Sequence, residues 1–472
     1  MEKSPSSSIG RRKTAIFGLF VIVFATFLFF FRIGDSFLAN WDEAWYAAVS
    51  RTMAENGALF SPEWNGREFF EKPPLYFWLS SLAYRLFGDT PFSARFISSL
   101  SGVITVFLTW LLGVYFWGRR AGLYAAVILL TSVGFVSRVR TGNMDGLLAL
   151  LLLAALASCI FRRPKALTVT VVAAFLTKGL IAFSVPAVIL TYDFFRSRRL
   201  AINRSTIIKS VLSAAAIIGV WLAAGYFMYG SMFIGQLFFH QLDKIQGKGN
   251  PLSNFSFGYV QHLYHGMKWW FMLAVPAWLF ALIAWHRRAA YVMAVYAAAF
   301  FISLSIVESK NNWFLVPLYP LFALITAGVL HSFTDKVSSL FRHALTGGII
   351  LLGAIQVMSY RHEFFPADVS ADEAMVAMVA AGMTRNDEVI YLTHYYYPAT
   401  VYYSRRQIYA VYSEHEENQS WWILPKSRWP EILMQERVFI IAKTTDLEFL
   451  RENGGEELTE LFRQGDNVLL SL

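Results

Sequence analysis

Cysteine is all but missing from this 472-residue chain. The single one, Cys159, lies inside an apolar run (LLLLAALASCI), so an intrachain disulfide and a cysteine-based metal centre are both excluded. Charge is scarce as well: 15% of the residues are Asp, Glu, Lys or Arg, where a soluble globular chain carries about 25%. Apolar residues fill the gap, at 56% hydrophobic and 17% aromatic with a mean hydropathy of +0.44. A purely soluble enzyme, a disordered chain and a disulfide-stapled secreted scaffold are therefore excluded. The net charge of +9 would suit nucleic acid, yet the basic residues sit in short clusters between apolar runs, which is the pattern of membrane topology. The chain reads as a polytopic membrane protein with no nucleic-acid partner.

A spanning helix needs about 20 mostly apolar residues. Runs of that kind, or close to it, are 14–31, 92–117, 121–137, 143–161, 166–178, 180–195, 206–229, 268–286, 289–307, 312–331 and 342–360, about eleven spans in all. The two around Lys178 are short. The first run is long for a cleavable leader and no small-residue cleavage site follows it, so it reads as a span. Six basic clusters (Arg11-Arg12-Lys13, Arg119-Arg120, Arg162-Arg163-Lys165, Arg196-Arg198-Arg199, Arg287-Arg288, and Lys336 with Arg342) then fall on the side of the N-terminus. By the positive-inside rule that side is the cytoplasm.

The opposite face holds the chemistry. It receives a long first loop (32–91) with expected interfacial helices, a second long loop (230–267), short turns, and the tail. Lys72, Arg138, Arg140, Lys178, Lys244 and Lys310 lie there against the simple charge rule. Ionisable groups at membrane depth are costly and are usually kept for a substrate or ion path. The tail changes character: residues 367–472 hold 9 Lys/Arg against 17 Asp/Glu, while residues 1–366 hold 32 against 15. Helical periodicity at Ala371–Gly382 and short strand-like runs at Glu388–Leu392, Arg406–Tyr412, Val438–Ala442 and Asn467–Leu472, with a helix at Asp446–Glu452, predict a small α/β domain. The expected organisation is an all-α polytopic membrane domain over 1–360 and a soluble extracytoplasmic α/β domain over 361–472.

Two motifs stand out in the first loop. In NWDEAWYAA (40–48), Asp42 and Glu43 are adjacent at a membrane exit, where unpaired carboxylates are expensive. They read either as working acids or as first-turn acids favoured by the helix dipole. In FFEKPPLYFW (69–78), the two prolines force a non-helical entry into the next segment and hold Lys72 at the membrane surface, as a working cation or as a snorkelling one. Further along, Asp145 reads as a substrate-positioning group or the partner of Arg140, or else Asn143 marks a helix cap. His240 and Lys244, four apart, would share a helix face toward a phosphate or anchor an interfacial helix. His262 and His265 lack the matched carboxylate of a metal site and fit an aromatic interface, and Glu308 with Lys310 reads as a local pair or a substrate contact. No metal ligand set is predicted, although Glu43 and Glu71 are of a type that can assist a divalent cation.

Taken together, DEAxYA, SRTM (50–53) and FEKPP (70–74) resemble the first extracytoplasmic loop of the GT-C class of polyprenyl-phosphate-dependent glycosyltransferases, the group of bacterial lipid A aminoarabinose transferases and related protein O-mannosyltransferases. RTGNMD (140–145), LTKGL (176–180), FFHQLDK (238–244) and ESKNNWFLVPLYP (308–320) continue the resemblance over residues 14–330. It implies a bacterial inner-membrane enzyme that moves a sugar from a polyprenyl-phosphate donor to a lipid, glycan or protein hydroxyl outside the cytoplasm, with inversion; no cofactor is predicted beyond the lipid-linked co-substrate, and a monomer is the default expectation. Asp42 would be the catalytic base. Lys72 and Lys178 would hold the donor phosphate with Arg138, Arg140, His240 and Lys244, and Glu43, Glu71, Asp145 and Lys310 would position substrate. The sequence departs from aminoarabinose transferases at Trp45, where they carry arginine, so the sugar is open. The rival class is a transporter or flippase of lipid-linked saccharides, but neither loop motif recurs in the second half as related transporter halves would require.

Overall fold

The computed structural model describes residues 5–196, 203–239, 257–283, 288–307, 310–334, 337–365, 371–395, 397–414 and 420–472. Its contacts separate into two compact units built from interleaved segments. Met1–Ile33, Phe70–Leu79 and Arg95–Pro366 make the first; Gly34–Phe69, Ser80–Ala94 and Ala367–Leu472 make the second.

The first unit is helical. Helix α1 (Pro5–Phe30) precedes the first loop, whose helix α2 (Asp42–Asn56) belongs to the second unit; α3 (Leu75–Phe87) is divided between the units, the start of α4 (Pro91–Trp117) falls in the second, and the rest of α4 belongs to the first. Then come α5 (Arg119–Leu130), α6 (Val133–Val139), α7 (Asp145–Ile160) and α8 (Pro164–Lys178), followed by helices at Ser184–Arg196, Arg204–Ile234, Gly258–Met267, Phe271–Ile283, Arg288–Ile306, Tyr319–Thr334 and Ser339–Ser359. Among the described residues seven helices are long and apolar enough to cross a membrane, or eight if the bent pair α5 and α6 is one span, and two more, Thr14–Phe30 and Asp145–Ile160, are shorter. Large apolar side chains on several of them face outward, including Leu19 and Phe20 of α1 and Val220 and Phe227 of the helix Arg204–Ile234, the last 86% exposed. Such a surface is unfavourable in water and natural in a bilayer. The chain is a multi-pass membrane protein.

The expected runs 166–178 and 180–195 form one apolar stretch, Pro164–Thr191, interrupted where Lys178 (φ −146°) and Gly179 (φ 74°, ψ −139°) leave helical geometry. The expected run 121–137 is also broken, by a 68° bend between α5 and α6. That bend releases the Thr131 carbonyl, and Gln356, fully buried, donates from Nε2 to it at 2.5 Å and accepts the Trp269 N–H at Oε1 at 3.0 Å. Irregular backbone is tolerated in a bilayer only when neighbours satisfy it in this way. Small residues let helices approach: a Cβ at Gly113 would stand 2.8 Å from the Cα of Gly122.

The second unit joins the first-loop segments to the tail. Strands β1 (Glu63–Trp64) and β2 (Arg67–Glu68) make a short antiparallel ribbon. The tail supplies β3 (Val389–Leu392), β4 (Gln407–Ser413), β5 (Ile423–Pro425), β6 (Phe439–Lys443), β7 (Thr459–Gln464) and β8 (Asn467–Ser471). They form one sheet in the order β5-β4-β3-β6-β8-β7, parallel from β5 to β6 and antiparallel beyond. Helices Ala371–Met383, Pro398–Ser404, Trp429–Leu433 and Leu447–Glu452 intervene. All four expected strands and both expected helices occur. The expectation lacked β5, β7 and the helices Pro398–Ser404 and Trp429–Leu433.

Candidate functional site

In the first unit Arg138, Lys178 and Asn143 meet at Asp145. It opens α7 with its side chain 2% exposed, and its carboxylate is shared by two cations: Arg138 donates from Nε to Oδ2 at 2.7 Å, and Lys178 donates from Nζ to Oδ1. Three separate sequence features build this cluster. The bend after α5 re-aims α6 so that Arg138 falls in its last turn, and α8 ends on Lys178. Asn143, fully buried, folds the link between them: its Nδ2 donates to the Arg138 and Thr141 carbonyls at 2.6 and 2.9 Å, and its Oδ1 accepts the Asp145 N–H at 2.9 Å. Asn143 thus holds the turn that leads into α7, whose N-cap position is Met144 without a side-chain cap bond, and the Asp145 carboxylate goes to the cations.

The 3-10 segment Asn312–Leu318 covers them. The Arg138 guanidinium lies 4.9 Å from the centre of the Trp313 ring, and the Lys178 ammonium 5.0 Å from that of Phe314. A cavity of 360 Å³ adjoins, lined in part by Arg138, His262, His265, Asn312, Trp313 and Glu363. His262 Nε2 is 3.1 Å from the Lys310 carbonyl oxygen, and Glu363 pairs with Lys268 at 2.7 Å. Among the described residues no group of three or more His, Cys, Asp or Glu side chains is placed to hold a metal.

One expected contact is corrected. Arg140 does not pair with Asp145: it donates from Nη1 to the Leu28 carbonyl and from Nη2 to that of Phe31 at 2.9 Å, beneath the Phe365 ring. The end of α1 leaves carbonyls without helical partners, and a cation there is favoured by the dipole. Lys310 likewise binds the carbonyls of Ser305, at 2.6 Å, and Val307, at the end of the helix Arg288–Ile306. Lys72 and Glu71 are half-buried in a bend before Pro73 and Pro74, as the prolines dictate. The Phe70 N–H donates to Gln236 Oε1 at 2.7 Å, and the Phe70 ring packs on Phe233, which fixes the approach to Lys72. His240, Lys244 and Glu308 lie outside the described residues.

In the second unit Asp42 is the first residue of α2 and is half-buried. Glu43 is 4% exposed, and its Oε2 accepts the Ala39 N–H at 2.7 Å, so this acid fixes the loop before the helix. Trp45, where arginine was expected from the resemblance, packs with Trp64, Phe69 and Trp422, and its buried Nε1 has no hydrogen-bond partner among the described residues. That indole contributes shape rather than charge. Sequence reasoning passed over Gln236, Trp313 and Glu363. Trp313 lay inside a quoted motif, whereas the polar groups Gln236 and Glu363 at helix ends gave no signal of their own.

Residues 71–225 match the family model for dolichyl-phosphate-mannose-protein mannosyltransferases. A protein of Aquifex aeolicus is 26% identical over 326 residues, 66% of this chain and 64% of the relative. The undecaprenyl phosphate-alpha-4-amino-4-deoxy-L-arabinose arabinosyl transferase of Pseudomonas savastanoi pv. phaseolicola is 32% identical over 192 residues, 38% of this chain and 36% of the relative. The chain thus spans less than two thirds of the length of these curated relatives. ArnT from Cupriavidus metallidurans, solved bound to undecaprenyl phosphate, aligns with a TM-score of 0.78 at 18% identity over 96% of this chain and 97% of that one. The Archaeoglobus fulgidus oligosaccharyltransferase aligns at 0.58 and 13% identity, over 91% and 69%. In its matched segments and in its fold, the chain is similar to the GT-C class of polyprenyl-phosphate-dependent glycosyltransferases that its loop motifs resemble.

Proposed function

We propose that the protein is an integral membrane glycosyltransferase of the bacterial inner membrane. It moves one sugar from an undecaprenyl-phosphate-type donor to a hydroxyl of a lipid, glycan or protein at the extracytoplasmic face. The observation that carries this reading is the Arg138–Asp145–Lys178 cluster, in which two cations share one buried carboxylate beside a cavity that Arg138 helps to line. Ionic groups are retained in an apolar bundle where they serve a ligand, and a phosphate is the ligand that stacked, partly buried cations fit. The likeness to an undecaprenyl-phosphate-bound structure supports the same donor.

In the reaction Asp42 accepts the proton of the acceptor hydroxyl. The acceptor oxygen bonds to the anomeric carbon as the bond from that carbon to the phosphate oxygen breaks, and the electron pair leaves with the polyprenyl phosphate. Lys72, Lys178 and Arg138 stabilise the charge that develops on this leaving group. Displacement from the opposite face inverts the anomeric centre. Arg140 supports the site by holding the end of α1.

The N-terminus is cytoplasmic in this reading and residues 361–472 form the extracytoplasmic domain of a monomer. This reading takes the runs on either side of the Lys178–Gly179 break as separate spans, which places the Arg196 cluster on the cytoplasmic side with the other basic clusters. Nucleotide sugars are cytosolic, so a donor on a lipid suits the outward site.

Binding of undecaprenyl phosphate to the purified full chain in lipid nanodiscs tests the phosphate site. Lys178→Ala leaves Asp145 paired with Arg138 and should weaken binding by about 2–5 kcal/mol, the cost of removing one partner of a desolvated charge contact. An unchanged dissociation constant would remove Lys178 from the phosphate site.

A further inference from the structure

We infer that Asn40 is a positioning residue for Asp42, through which the tail of the chain sets the direction of the catalytic carboxylate; this rests on the reading of Asp42 as the base. Asp42 begins α2, and the chain leading into it, residues 37–41, has no helix or strand of its own. The lead is held instead by hydrogen bonds within the second unit. The Leu38 N–H donates to Tyr403 Oη at 2.7 Å. Asn40 then uses both ends of its amide: Nδ2 donates to Glu373 Oε2 at 2.9 Å, and Oδ1 accepts the Ala399 N–H at 3.1 Å. Glu373 lies on the helix Ala371–Met383 and is held from the far side by Lys443 at 3.7 Å. Ala399 lies in the first turn of the helix Pro398–Ser404, where backbone N–H groups need an acceptor. One side chain thus bridges two helices of the tail, and only a group with a donor and an acceptor can do it.

The far end of α2 is fixed by the same part of the chain. Arg51, 6% exposed, donates from Nη1 to the Tyr402 carbonyl at 2.7 Å, and its guanidinium lies 4.4 Å from the centre of the Tyr402 ring. Tyr402 donates from Oη to Asp89 at 2.7 Å, and Arg405 pairs with Glu55 at 3.2 Å. With the C-terminal half of α2 anchored and Glu43 holding the lead to the helix itself through the Ala39 N–H, Asn40, two residues before Asp42, is where the tail grips that lead. The tail, which carries no phosphate loop, zinc spacing or nucleophile elbow of its own, acquires a role in the reaction: it orients the base.

The test uses the full chain in a strain lacking the gene, comparing wild type, Asn40→Ala, Asn40→Asp, the double variant Asn40→Asp/Glu373→Gln, and Asp42→Asn. Three quantities are read: the rate at which the single-sugar product appears in envelope extracts by mass spectrometry, undecaprenyl phosphate affinity in nanodiscs, and melting temperature. Asn40→Ala should slow product formation on the order of 10–100-fold, the cost of a reacting group displaced by about an ångström, with affinity and melting temperature held. Asn40→Asp places two carboxylates face to face and should be slow as well. The double variant reverses the polarity of that hydrogen bond and should recover the rate. A wild-type rate for Asn40→Ala beside an inactive Asp42→Asn would overturn the inference alone. So would a loss matched by a lower melting temperature, or no recovery in the double variant. A wild-type rate for Asp42→Asn would overturn the reading of the base, and the inference with it.

Discussion

Asp145 shows how far single residues could be read. Its acidity at a membrane face, with Arg138, Arg140 and Lys178 nearby in the topology, marked a site, yet Arg140, named as a partner alongside a substrate-positioning role, is not the cation it meets. Sequence spacing does not reveal which of two arginines two residues apart meets a helix end; the 68° bend before Arg138 decides it, and no residue in that run announces the bend's direction. His394 was not singled out, and its environment makes a solution-testable claim. Burial, reinforced by Lys443 and opposed by Asp446, pushes its imidazole down from 6.5 to about 4. The unfolded chain takes up the proton first, so stability is full above pH 6.5 and is lost as the pH falls toward 4. The loss amounts to about 3 kcal/mol at most. Melting temperatures of the wild type and His394→Gln between neutral pH and pH 4 check this. The wild type should lose more than the variant, and parallel curves would show that His394 titrates normally.

Helices and strands were legible where their apolar pattern was strong. The strands β3, β4, β6 and β8 and the spans Pro91–Trp117, Ala289–Ile306, Asn312–Thr334 and Ser339–Ser359 carry long or alternating apolar runs, and each was expected within a few residues. The edge strand β7, TELFRQ, is mostly exposed and shows no buried face, and β5 has three residues, so neither has enough pattern to announce itself. Interruptions inside spans were harder, because composition stays apolar through them. Close packing at one of these, α6, is open to test. A Cβ on Gly134 would stand 2.9 Å from the Cα of Gly266, on the helix Gly258–Met267, and would also meet Tyr319 beside the cavity. Gly134→Ala should therefore overpack the contact and destabilise the chain by about 1–3 kcal/mol. Thermal unfolding in detergent measures it, and an unchanged midpoint would mean that the two helices separate at no cost.

At the scale of the whole molecule, composition alone gave the membrane, and the paired motifs DEAWYA and FEKPP gave the class. The organisation was less legible. The first loop contributes residues 34–69 and 80–94 to the same compact unit as the tail, although some three hundred residues lie between them in sequence. Charge counts could separate tail from spans, but they carry no record of the long-range bonds, such as Asn65 Nδ2 to the Ile408 carbonyl at 2.9 Å with the Ile408 N–H returned to Asn65 Oδ1 at 2.8 Å, that join loop and tail. The account as a whole stands on transfer of a sugar with Asp42 as the base. Mass spectrometry of envelope lipids, glycans and glycoproteins from a deletion strain, complemented in parallel with wild type and with Asp42→Asn, tests it most directly. The account predicts that a single-sugar mass increment disappears in the deletion and returns with the wild type alone. Return of the increment with both versions would contradict it.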